Sequence, residues 1–133
     1  MVFLLLLGVS MPALAASVGI EPGLYELTTV GTDTSLPSVT RSCFQSVLAE
    51  GGFARPDLSG GCRLWKDVVA GGRIDIVTSC TGSGGVRSTE TVTGHYRPDG
   101  FVLRRRVEGQ LGGSPREMVF TTTARRIGAS CPA

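Results

Sequence analysis

One histidine, one lysine, one tryptophan and only 6% aromatic residues narrow the chemistry this chain can carry. A metal site or a histidine-based catalytic relay would rest on His95 alone, and the rings are too few for a base-stacking platform. The four cysteines, Cys43, Cys62, Cys80 and Cys131, contain no Cys-x-x-Cys pair, so neither zinc ligation nor dithiol redox chemistry is expected. No Gly-x-Ser-x-Gly elbow, phosphate-binding loop or dinucleotide fingerprint occurs. The Gly82-Ser83-Gly84-Gly85 run joins two strand-like segments and opens no helix, so it is a turn. The net charge of +2 gives no ground for nucleic-acid binding or attraction to an anionic membrane. No catalytic residue, cofactor or metal is expected, and the protein is not expected to be an enzyme.

What is present begins with an apolar N-terminus. Residues Val2 to Val9 are too few to span a bilayer, which needs about 20 residues, but suit the core of a cleavable leader. Met11-Pro12-Ala13-Leu14-Ala15 ends in a small-x-small cleavage pattern, although no Lys or Arg precedes the apolar run. Residues 1–15 are therefore expected to be a signal peptide, and 16–133 a single exported domain. No stable membrane insertion is expected after cleavage. In an oxidising compartment the four cysteines read as structural disulfides.

From Gly23 onward, short strand-like runs alternate with turn residues, the pattern of an all-β domain. The runs are 24–30, 38–43, 62–69, 73–81, 86–96, 101–111 and 117–127, with one short helix over Gln45 to Glu50 and a loop over Gly51 to Gly61. They predict an antiparallel up-and-down meander of about seven strands, forming a curved sheet or lipocalin-like barrel; a β-sandwich satisfies the same alternation. A turn at Asp99-Gly100 would set Tyr96 opposite Leu103 and Val92 opposite Val107, making the apolar faces coincide. Met118, Phe120 and Ala124 continue that face, opposite Gly109, Val107 and Leu103.

The cysteines allow three pairings. Cys62 and Cys80 begin and end one hairpin, and a three-residue loop, Ala70 to Gly72, would place them directly opposite each other. The same register puts Leu64, Val68, Ile74 and Ile76 on one face and sets Asp67 beside Asp75. Cys43 then pairs with Cys131, tying the C-terminus to an early strand.

Two charged residues share the expected inner face, Arg105 and Glu90. Buried charges are costly unless paired, so they either neutralise each other or form a polar anchor in a ligand cavity. With Tyr96 on the same face, they are the candidate ligand-lining residues. Arg104 and Arg106 fall on the opposite face, as does His95, and read as a solvated surface.

Pro22-Gly23-Leu24-Tyr25-Glu26 opening the first strand, Cys43 before a short helix, the Cys62–Cys80 hairpin, and Ala124-Arg125-Arg126-Ile127-Gly128 ahead of Cys131 together resemble an exported bacterial family, domain of unknown function 3617. Here Tyr25 stands where Trp is commoner, and two residues rather than one separate Gly128 from Cys131. The resemblance implies a Gram-negative periplasmic setting and a mostly antiparallel β fold. It supplies no activity and no catalytic residues. The expected function is non-enzymatic binding of a small apolar or amphipathic ligand by a monomer. The alternative is a module that docks another envelope protein or inhibits a foreign enzyme.

Overall fold

Two-residue turns and strand alternation organise the chain into seven strands, seen in a computed structural model that describes residues 19–32, 36–46, 48–58, 60–111 and 113–132. The expected leader, 1–15, lies outside the described residues. The strands are β1 (Gly23–Gly31), β2 (Ser38–Phe44), β3 (Cys62–Ala70), β4 (Arg73–Thr81), β5 (Arg87–Arg97), β6 (Gly100–Leu111) and β7 (Ser114–Gly128). All pairings are antiparallel, in the order β2-β1-β7-β6-β5-β4-β3. First and last strands are neighbours, as a closing meander requires, but β2 and β3 do not pair. The result is one open, curved sheet rather than a closed barrel or a sandwich. Among the described residues no helix is long and apolar enough to cross a membrane.

The apolar faces coincide as expected, yet two registers differ from those read in the sequence. The β5–β6 turn is centred on Pro98-Asp99, so Tyr96 faces Phe101 and Val92 faces Arg105. Pro98 has no N–H for the ladder and its fixed φ suits the first turn position, which leaves Gly100 to begin β6. At β6–β7 the strands pair up to Leu111 and Ser114, and Phe120 faces Arg105 rather than Val107. Both corrections are slips of two residues, which keep every side chain on its face.

The β3–β4 hairpin corrects the expectation in a different way. Gly71 and Gly72 both have positive φ, 60° and 78°, and make a two-residue turn where three residues were expected. That shift by one is undone by a bulge between Leu64 and Lys66, so Cys62 still faces Cys80. On the turn side of the bulge the faces are exchanged. Val69, not Val68, enters the core at 6% exposure. Asp67 lies opposite Ile76 and Asp75 opposite Val68, so the two acids point to opposite faces. Both disulfides, Cys62–Cys80 and Cys43–Cys131, have the expected connectivity.

The core fills one end of the concave face. Tyr25, Phe44, Tyr96, Phe101, Leu103, Ile74, Ile76, Val92 and Ala124 are buried there. The connection from β2 to β3 folds over them as a plug. It contains the short helix, at Leu48–Gly52, and buries Ala49, Phe53 and Ala54. Phe53 stacks on Phe101 with centroids 4.7 Å apart and meets Tyr96 edge-to-face at 5.9 Å. Ile20 crosses the plug, its N–H donating to the Ala49 carbonyl at 2.9 Å.

Candidate functional site

Side chains on the concave face lie in rows across the strands, and their character changes from one end of the sheet to the other. At the plugged end Tyr96, Phe101, Ala124 and Leu27 share a row. The row of Ile76, Val92, Arg105 and Phe120 comes two steps further on, followed by Thr78, Glu90, Val107 and Met118. The last row holds the Cys62–Cys80 disulfide, Ser88, Gly109 and Arg116. Ile76, Val92 and Thr78 in these rows are buried, but their neighbours on β6 and β7 stay open. Met118 is 45% exposed, and Val107 and Phe120 are half-buried.

Arg105 and Glu90 meet as a diagonal pair, Arg105 Nη1 donating to Glu90 Oε1 at 2.7 Å. They are half-buried, so the pair removes most of the cost of placing two charges on this face. Only one of the five guanidinium N–H groups is used in that bond. Tyr96 does not join them. It is 5% exposed and sealed against Phe53 in the plugged half, where a ligand on the later rows would not reach it. Thr78, beside Glu90, is 2% exposed and its hydroxyl has no hydrogen-bond partner among the described residues.

Sequence inspection missed the hollow at the end of this face. Gly109 stands between Ser88 and Arg116 without a side chain, leaving a largely apolar space of about 90 Å³ lined by Val86, Val107, Met118 and their neighbours. An isolated glycine within a strand was the signal that could have marked it.

The convex face carries the other polar candidates. His95 is exposed and lines a groove of about 280 Å³ with Arg97, Asp99, Thr123 and Arg125. No hydrogen bond joins His95 to an acid or a hydroxyl among these described residues, so no base-nucleophile relay is assembled. Arg104 and Arg106 lie on this face, and Arg106 is paired with both Glu108 and Glu117. The Arg106 hydrogen bond and charge hold the Glu117 carboxyl below its usual range. Trp65, pushed out at the β3 bulge, donates from Nε1 to Ser79 Oγ at 2.6 Å, with the Arg63 guanidinium 3.9 Å from its ring centre. No group of metal-binding side chains occurs among the described residues.

The first and last of the segments that carry the family resemblance come together, and they form a clasp. Arg126 donates from Nη2 and Nε to the Pro22 carbonyl at 2.8 and 3.1 Å and pairs with Glu21 at 3.3 Å. Gly23 lies so close to β7 that a Cβ there would stand 2.3 Å from the Gly128 carbonyl oxygen. Tyr25, fully buried, donates its hydroxyl to the Glu21 carbonyl at 2.5 Å and lies 3.2 Å from that of Pro98. These contacts lock β1 to β7; their donors are spent on backbone carbonyls rather than turned to a substrate.

Residues 20–131 match the profile of a family described as "Protein of unknown function (DUF3617)". No curated protein and no solved structure matches the chain.

Proposed function

Because the chain belongs to the DUF3617 family, whose description names no activity, we propose from its geometry that it is a non-enzymatic periplasmic protein that binds a small apolar or amphipathic molecule. The site is the concave face beyond the plug. The observation that carries this is the apolar surface left there: Met118 at 45% exposure beside half-buried Val107 and Phe120. A curved sheet that needed only a core would cover that surface. The Arg105–Glu90 pair supplies polar contacts alongside it. Two disulfides in a chain of this size, together with the expected leader, support the exported setting.

Native mass spectrometry of protein recovered gently from a periplasm tests the proposal. The expected result is an adduct that disappears on denaturation and is weakened in Met118→Asp. Protein free of adduct, and unchanged on titration with short-chain amphiphiles, would overturn it.

A second reading, docking to an envelope protein, is favoured by the β1–β2 hairpin. Leu36, Val39 and Val30 are 80%, 60% and 44% exposed there, a cluster typical of contact surfaces. It expects cross-linking to one envelope protein that Leu36→Asp abolishes; equal cross-linking in that variant would remove it.

A further inference from the structure

Arg105 and Glu90 stand on the open part of the concave face among apolar neighbours. Phe120 shares the row of Arg105, and Val107 and Met118 share the row of Glu90. Apolar side chains of similar volume would be about as stable there as a half-buried ion pair, so stability alone gives no reason for two charges at this spot. The bond between them, from Arg105 Nη1 to Glu90 Oε1 at 2.7 Å, takes one of five guanidinium N–H groups and one of two carboxylate oxygens. The two side chains are 34% and 23% exposed, so a donor and an acceptor reach the groove side by side.

The charge at this spot is balanced. An anionic head brought to Arg105 would meet the Glu90 carboxylate, and a cationic head brought to Glu90 would meet the guanidinium. An uncharged group that accepts from Arg105 and donates to Glu90 meets no like charge. Arg116 stands two rows further out, about 13 Å along the strand, and cannot share a head group with Arg105. The surroundings also give the site a direction. Outward from the pair, apolar surface runs over Val107 and Met118 to the hollow of about 90 Å³ at Gly109. Inward, Phe53 of the plug closes the face over Phe101 and Tyr96.

We infer that the concave face takes an amphiphile whose head is uncharged and both donates and accepts hydrogen bonds, as a primary carboxamide does. The head lies at Arg105 and Glu90, and the chain runs out over Val107 and Met118 into the hollow. The inference rests on the proposed ligand-binding role and specifies the head-group class and the orientation.

Isothermal titration of the intact, oxidised protein with octanamide, N,N-dimethyloctanamide, octanoate and octylammonium, each below its micelle concentration, tests this. Octanamide should bind at least about tenfold more tightly than the other three, the worth of one hydrogen bond to a charged group. That preference should vanish in Arg105→Met/Glu90→Leu, which removes both charges together. Glu90→Gln leaves the guanidinium uncompensated and should tighten octanoate binding at least about tenfold. A structural ion pair with no part in binding would move neither ratio. An unchanged thermal midpoint would show the variants folded, and the ranking of the four compounds on the native protein stands without them. Octanoate, octylammonium or the dimethylamide binding as tightly as octanamide overturns the inference and leaves the ligand-binding role standing. So does an octanamide preference that survives the double substitution, or octanoate binding unchanged in Glu90→Gln. If none of the four binds, the ligand-binding role fails and the inference with it.

Discussion

Tyr25 shows how one residue in a short sequence motif acts on the whole fold. Its ring is buried against Phe44 and Phe101 while its hydroxyl reaches the carbonyls of Glu21 and Pro98, which accept only from the protonated phenol. Burial raises its pKa above the ordinary value of 10.0; Arg126 opposes the shift, and Glu21 and Asp99 add to it. Above that ordinary value the unfolded chain gives up the phenolic proton while the folded chain keeps it. Stability from this group is therefore complete at neutral pH and falls as pH rises through the folded pKa. Urea unfolding followed from pH 8 to 11 should show that fall, and Tyr25→Phe should lose this phenol-linked part of it at a neutral-pH cost of about 1 kcal/mol. A pH slope unchanged in the variant would place its origin elsewhere. The sequence marked Tyr25 only as the aromatic of the Pro-Gly-aromatic start. Its hydroxyl partners lie on the N-terminal segment and on a turn 73 residues away, which no local pattern encodes.

At the scale of elements, the strands were legible because side-chain alternation and turn residues act locally. Six of the seven begin and end within one or two residues of the expected bounds; β7 starts three earlier, at Ser114, because the chain turns tightly before it. Registers were less legible, since a two-residue slip leaves the same faces buried and so leaves no mark on the apolar pattern. The β3 bulge was invisible for a related reason. One extra residue and a shorter turn compensate each other, and Cys62 faces Cys80 either way. The plug was read as a loop with a short helix before it, although Phe53 within it anchors the core. Phe53→Ala should cost about 3–5 kcal/mol, because a ring stacked on Phe101 and edge-to-face with Tyr96 leaves a cavity that two strands cannot close. Chemical denaturation would measure it; a loss under 1 kcal/mol would mean the plug contributes little to the core.

Across the described residues, the open seam between β2 and β3 is spanned by the plug, and the first two strands are joined to the C-terminal segment by the β1–β7 clasp and the Cys43–Cys131 bond. The two disulfides close loops of very different length, with sequence separations of 88 and 18. In the chain-entropy account, replacing Cys43 and Cys131 by alanine should cost about 4–5 kcal/mol, against about 3 kcal/mol for Cys62 and Cys80. Equilibrium unfolding of the two double variants would show the order; the reverse order would mean the edge hairpin depends on its staple more than the closed chain does. The amino-acid sequence by itself determined the all-β meander, the shared apolar face and both cysteine pairings: alternation and turn chemistry set the first two, opposed positions on one hairpin pair Cys62 with Cys80, and Cys43 is then left with Cys131. Tertiary structure alone decided that the sheet stays open, that Tyr96 is sealed in the core while Arg105 and Glu90 pair beyond it, and that Gly109 leaves an apolar hollow beside Met118 and Val107. Those outcomes depend on sheet curvature and on which segment covers which row, distances set between residues far apart in the chain.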